Sequence, residues 1–171
     1  MRLLGAILAG GQATRFGSDK AHVIIDGTRL LDAVAHALSQ QTDALIVCGR
    51  EDPAYTCLPD RPEPGLGPLG GLSAALAHAK VNGFDAVLSS GCDAFNLPVD
   101  LASNLAGEGP AIAQSQPVIG LWPAALSGTL DAFLANGGRA LYGFAERVEA
   151  RSVQFDPPIA NMNSPEDVPR S

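Results

Sequence analysis

Histidine, cysteine and positive charge are all scarce in this chain. Cys48, Cys57 and Cys92 are odd in number and show no C-x-x-C spacing, which argues against a disulfide framework and against a zinc site. His22, His36 and His78 stand apart from one another and read as surface or packing residues rather than ligands. Eleven Lys and Arg against 18 Asp and Glu leave a formal net charge of −7, without the basic stripe of a nucleic-acid binder. No apolar run approaches the roughly 20 residues of a membrane span. The opening MRLLGAILAGG begins like a signal peptide, but its apolar run is short and leads straight into a charged loop. These absences give the expectation of a soluble, cytoplasmic protein with neither membrane nor nucleic acid as a partner.

What is present is apolar residue and glycine. At 171 residues, 46% of them hydrophobic, the chain is expected to form one domain spanning 1–171 around a sizeable core. Leu3 to Leu8 and Ala44 to Cys48 are short apolar runs closed by glycine and read as buried strands. Phe84 to Ser89 reads as a third strand. Ala111 to Ala113, Val118 to Trp122 and Ser152 to Phe155 are further candidates, and Val23 to Ile25 is a brief extended piece. Apolar residues at 30, 31, 34, 35 and 38 have helical spacing. Leu69 to Lys80, Pro98 to Leu105, Ala124 to Leu134 and Arg139 to Val148 also read as helices. Ser164 to Asp167 resembles the first turn of another. Residues 50–68, rich in Pro and Gly, show no convincing element, and a loop of that length in a compact domain is usually functional or mobile. The alternation of strand and helix predicts a mostly parallel α/β sheet covered by helices on both faces, a three-layer sandwich. Ligands of such sheets bind beyond the carboxyl ends of the strands, and the loops after the first three strands should gather there.

The stretch AILAGGQATRFGSDKAHV, residues 6–23, leaves the first strand through two glycines into a loop holding Arg15 and Lys20. It fits neither the Walker pattern nor G-x-G-x-x-G. Backbone N–H groups beside glycines form a concavity for anions, and two cations in one loop concentrate what little positive charge the chain has. Phosphate binding is the reading favoured over a plain strand-to-helix connection. GLGPLG at 65–70 does match G-x-G-x-x-G by letter, but no strand immediately precedes it and Pro68 sits inside. It reads as a turn that starts a helix. Asp93, in SSGCDAFNLP, falls just past the third strand, where a carboxylate can hold Mg²⁺ against phosphate oxygens; its plainer reading is a cap or turn aspartate. Asp60, Asn161 and Asn163 taken singly read only as turn or cap residues.

In series, LAGGQATRFGSDK (8–20), GPLGG (67–71), CDAFNLP (92–98) and NMNSPED (161–167) resemble the molybdenum cofactor guanylyltransferases from end to end, within the wider nucleotidyltransferase fold. That resemblance implies a Rossmann-like sheet of the nucleotide-diphospho-sugar transferase type. It implies transfer of GMP from GTP to the terminal phosphate of molybdopterin, with Mg²⁺ and release of pyrophosphate. It implies that Leu8, Ala9, Gly10 and Gly11 meet the nucleotide, and that Lys20 and Arg15 sit on the phosphates. Asp60 would help hold the nucleoside, Asp93 would hold Mg²⁺, and Asn161 and Asn163 would line the substrate side. Transient contact with cofactor-biosynthesis proteins or molybdoenzymes is a further implication. The nucleophile of such a reaction is already an anion, so no Ser, His or Cys nucleophile is required, and catalysis rests on positioning and charge neutralisation.

Three places differ from the family's usual pattern. Ala94 and Phe95 follow the Cys-Asp pair in place of Thr or Ser and Pro. No Asn stands in IVCGR (46–50), near the base. Gln116 replaces a His. Competing readings are a cytidylyltransferase for the same pterin, a nucleotidyltransferase with another phosphorylated acceptor, and a nucleotide- or cofactor-binding homologue without turnover.

Overall fold

The computed structural model describes residues 1–9, 24–25, 28–95 and 97–161. The central strand β1 (Leu3–Leu8) has five of its six residues buried, as expected of an apolar run covered on both sides. It lies between β4 (Ala44–Cys48) and β6 (Ala86–Gly91) and is parallel to both, with Leu8 opposite Cys48 on one side and Gly91 on the other. β5 (Thr56–Leu58) adds in parallel to β4. On the far side of β6, β9 (Gln116–Pro123) runs antiparallel to β6 and to β8 (Ala111–Ala113), and β10 (Arg151–Val153) is parallel to β8. The seven-stranded sheet has the order β10-β8-β9-β6-β1-β4-β5, with β9 its only antiparallel member. Two small pairs complete the strands among the described residues: β2 (Ile24–Ile25) with β3 (Thr28–Arg29), and β7 (Ala94–Phe95) with β11 (Ala160–Asn161).

Successive residues of β1 face opposite sides of the sheet, and each side has its own core. Leu4, Ala6 and Leu8 pack with α2 (Pro68–Val81), α4 (Ser127–Ala135) and α5 (Leu141–Arg147), through Leu72, Leu76, Leu130 and Phe144. Ile7 packs with α1 (Leu30–Ser39) and α3 (Leu101–Leu105), through Leu31, Val34, Leu38, Leu101 and Leu105. Glycine and alanine at 70, 71, 74 and 75 bury α2 closely against the sheet. The fully buried Trp122 stacks on Phe144 at 5.6 Å between ring centroids. Its indole N–H donates to Ser89 Oγ at 3.0 Å, and that hydroxyl donates to the Val118 carbonyl at 2.8 Å, so β6 and β9 are joined by a satisfied polar pair.

The architecture is the expected three-layer, mostly parallel one, with several boundaries moved. Residues 50–68 do contain an element: β5 pairs with β4 inside the stretch read as structureless. The third strand begins at Ala86 rather than Phe84, because the Phe84 N–H closes the end of α2 on the Ala79 carbonyl at 2.9 Å. Pro98 to Asp100 precede α3 rather than opening it. β9 begins at Gln116, earlier than the apolar run suggests. Residues 124–126 form a 3-10 turn before α4, and the last sheet strand ends at Val153. The helix start expected at Ser164 lies outside the described residues.

Candidate functional site

Because β1, β4, β5, β6, β8 and β10 all run the same way, their carboxyl ends form one edge of the sheet. Leu8 ends β1 there, 7% exposed, and the N–H of half-buried Ala9 donates to the Cys48 carbonyl at 2.9 Å. The chain thus leaves β1 beside the end of β4. Gly10, Gly11, Arg15 and Lys20, which follow in sequence, lie outside the described residues, as does Asn163.

Asp60 follows β5 on the same edge. Its carboxylate rests on the first turn of α2, with the Arg61 N–H held by the Gly70 carbonyl at 3.0 Å. A Cβ added at Gly71 would stand 3.1 Å from Leu8 Cδ2, 3.3 Å from Cys48 Cβ and 3.5 Å from Asp60 Oδ1. The pair Gly70-Gly71 therefore lets the helix, the ends of β1 and β4 and the Asp60 carboxylate meet. This is what GPLGG does in the fold, with the positive-φ Gly67 (φ 67°) turning the chain into Pro68 at the helix start. Asp60 Oδ1 is buried and has no hydrogen-bond partner among the described residues. Burial pushes the Asp60 carboxyl above its ordinary pKa. A cavity of about 300 Å³ opens beside it, lined by Gly49, Arg50, Cys57, Leu58 and Pro59 among others.

Behind the wall of that cavity lies a network with no motif to announce it, joined to the lining where the Asp52 N–H donates to Cys57 Sγ at 3.2 Å. Arg29, at the end of β3, donates from Nε to Asp32 Oδ2 at 2.8 Å and from Nη1 to Asp52 Oδ2 at 2.9 Å. Tyr55 Oη donates to Asp32. Asp52 is 6% exposed, and the Arg29 guanidinium, with the Ala54 N–H, holds its carboxyl below the usual carboxylate range. Burial and the Asp32 hydrogen bond push the Tyr55 hydroxyl up to about 12. The start of α1 and the chain between β4 and β5 are thereby fastened together. Cys48, alongside, is no nucleophile: burial first, then the charges of Asp60 and Cys57, push its thiol up to about 12.

Asp93 lies in the turn between β6 and β7, half-buried. A Cβ at Gly91 would fall 2.9 Å from Asp93 Oδ1, so the glycine forms a cradle that any side chain would fill. Asn161 arrives at the same place along the backbone, since β11 pairs antiparallel with β7 and sets Asn161 opposite Ala94. The fold therefore brings Leu8, Ala9, Asp60, Asp93 and Asn161 to one sheet edge. Among the described residues no group of three or more His, Cys, Asp or Glu is arranged to hold a metal ion, and no helix is long and apolar enough to cross a membrane.

A mostly parallel sheet whose central strand runs in sequence into Gly10-Gly11, and which carries carboxylates past β5 and β6 on one edge, is the arrangement of a nucleotidyltransferase. The MobA-like NTP transferase domain model matches residues 5–150, and the chain belongs to that family. The molybdenum cofactor guanylyltransferase of Cereibacter sphaeroides is 40% identical, with 100% of this chain and 96% of the relative covered. The protein of the same name from Rhodobacter capsulatus is 38% identical over 100% of this chain and 95% of its own. Among solved structures, the molybdopterin-guanine dinucleotide biosynthesis protein A of Archaeoglobus fulgidus superposes with a TM-score of 0.77 at 18% identity, covering 98% of this chain and 95% of that one. At that identity the superposition speaks for the fold.

Proposed function

We propose that this chain transfers GMP from GTP to the terminal phosphate of molybdopterin, forming the guanine dinucleotide and releasing pyrophosphate, as a single catalytic unit in the cytoplasm. The observation that carries the reading is the 40% identity, over the whole chain, to a protein named molybdenum cofactor guanylyltransferase. The geometry supports it through the two carboxylates on the strand-end edge. Asp60 offers a buried oxygen lacking a donor, suited to a hydroxyl or N–H of the nucleoside in the adjoining cavity.

Asp93 in its glycine cradle suits Mg²⁺, which is commonly held by one or two carboxylates while substrate phosphates supply further oxygens. When bound, the ion supplies positive charge against the triphosphate as pyrophosphate leaves. Lys20 and Arg15, which follow β1 in sequence, add charge on the phosphates. Leu8, Ala9, Gly10 and Gly11 meet the nucleotide with their backbone. Asn161 and Asn163 face the acceptor. The acceptor phosphate attacks the α-phosphorus in line; the P–O bond to pyrophosphate breaks as the new P–O bond forms, and no protein nucleophile intervenes.

Pyrophosphate release is measured with Mg²⁺, molybdopterin and each of GTP, CTP and ATP, and the product is weighed by mass spectrometry. GTP is expected to exceed CTP by at least about tenfold in kcat/KM, the factor that ~1.4 kcal/mol provides. A preference for CTP favours the cytidylyl reading, which the absence of an Asn in IVCGR (46–50) motivates. Tight GTP–Mg²⁺ binding without product favours a homologue that has lost turnover.

A further inference from the structure

Gln116 stands at the base of the β8–β9 hairpin, on the same strand-end edge, where it pairs with Ala113. Its side chain is almost wholly enclosed, with 7% of the residue exposed. The amide Nε2 donates to the carbonyl of Ile159, 43 residues further along the chain. Ile159 leads directly into β11, the two-residue strand that pairs with β7 immediately after Asp93. β9 reaches Asp93 from the other side as well. Val118, two residues on from Gln116, stands 3.7 Å from where a Gly91 Cβ would be, and that same point is 2.9 Å from Asp93 Oδ1.

Only an N–H can face the Ile159 carbonyl, so the orientation of the amide is fixed and its oxygen points elsewhere. That oxygen is buried and has no hydrogen-bond partner among the described residues. Burying an unpaired amide oxygen is costly, and an apolar side chain of similar volume would fill the position at lower cost. What an apolar residue cannot provide is the donor to Ile159. Two-residue strands have little pairing of their own to hold them. The β7–β11 pair therefore depends on ties made outside it, and Gln116 makes one of them.

We propose that Gln116 is a positioning residue of the transfer centre: by holding the Ile159 carbonyl it sets β11 against β7 and so fixes Asn161 relative to Asp93. The inference rests on the guanylyltransferase reading. It assigns Gln116 to the acceptor side and the transfer step, leaving GTP binding, which lies around Asp60 and β1, to other residues.

The test uses three variants of the full chain. Gln116→Met keeps the volume and removes the donor. Gln116→Glu keeps the shape and removes the donor only while ionised. Gln116→His restores a ring N–H. Each is assayed with GTP, Mg²⁺ and molybdopterin for kcat and both KM values, for GTP–Mg²⁺ affinity without acceptor, and for Tm. Expected for Gln116→Met is a loss of about tenfold or more in kcat or in kcat/KM for the acceptor, at a nearly constant GTP affinity and with little change in Tm. Gln116→His should regain most of the loss. Gln116→Glu should approach the wild type as pH is lowered from about 8 to about 6, since a buried carboxyl has a raised pKa and its protonated form can donate to Ile159. Should Gln116→Met not fold, the pH profile of Gln116→Glu carries the test. Wild-type kinetics in Gln116→Met, a GTP affinity that falls in step with turnover, or a Gln116→Glu deficit that is independent of pH each overturns the proposal. A wild type that forms no nucleotide adduct overturns the underlying reading instead, and is recognised because it fails before any variant is compared.

Discussion

Gly70 and Asp60 are so close that a Cβ on the glycine would lie 3.1 Å from Asp60 Cβ and 3.2 Å from its Cγ and Oδ2. Nothing else about Gly70 demands glycine: its φ is ordinary for a helix, and alanine is the better helix former by about 0.8–1 kcal/mol. The expected outcome for Gly70→Ala is therefore a split. Stability should stay within about 1 kcal/mol of the wild type, the helix gain offsetting the displaced carboxylate. GTP affinity should fall, roughly fivefold to tenfold, because Asp60 is pushed from its place. Thermal unfolding and equilibrium GTP binding on the same preparation check both halves.

Asp60→Asn should stabilise the free protein at neutral pH while weakening nucleotide binding. Burial raises the Asp60 carboxyl pKa in the folded state, so folding favours its protonated form. The stability this provides is fully present below the unfolded-state pKa, near about 3.9, and is lost as pH rises through the folded-state value. Replacing the carboxylate with an amide removes that loss. The variant's Tm advantage should thus be visible at about pH 7 and shrink toward about pH 4. An advantage that grows on acidification would contradict the burial argument.

Arg29→Met should behave in the opposite sense. Asp52 is 3% exposed in its side chain and loses a charged partner, whereas Arg29 is 25% exposed. Breaking a fully buried pair costs about 3–5 kcal/mol, and this partly solvated one about 2–3. The Asp52 pKa is lowered in the folded state, so its contribution is present above about 3.9 and lost as pH falls through the lower folded value. Wild type and variant should differ most at about pH 5–8 and converge below about pH 4 in denaturant titrations. Since the network also joins the lining of the Asp60 cavity, GTP affinity should decline as well.

Asp93→Asn keeps shape and removes charge; turnover should collapse with little change in Tm. Normal activity with an unaltered Mg²⁺ dependence would move the metal elsewhere. Lys20→Ala should weaken GTP binding by about 1.5–3 kcal/mol, the worth of one charged hydrogen bond, with the fold intact by circular dichroism.

The layers were legible because β1, β4 and the main helices carry their signals locally. LLGAIL and ALIVC are closed by turn residues, and the 3.6-residue period of α1 names its buried side as Leu30, Leu31, Val34, Ala35 and Leu38. β5 was hidden because Thr56-Cys57-Leu58 has no pattern of its own; its strand character comes from pairing with β4, a tertiary cause. Phe84 misled for a related reason: its side chain joins the core beside α2 while its backbone N–H closes that helix, so it is apolar without being part of a strand. At the site, strand order alone carried Asp60 and Asp93 to a common edge, since a parallel sheet puts every strand end on one side. Asp52 and Gln116 were invisible as partners because each bonds to a residue with no motif around it, 23 and 43 positions away.

The two outermost strands of the sheet have a consequence for how this molecule behaves in a crowded solution. β5 and β10 are each three residues long, against six for β1 and eight for β9. Pro59 directly follows the first, and Pro157 and Pro158 come soon after the second. An incoming strand would find few free backbone groups in register before meeting a residue without an N–H. Sheet-to-sheet growth between copies is thus checked at both ends, and the aggregation-prone apolar strands stay in the middle, where every side is already occupied.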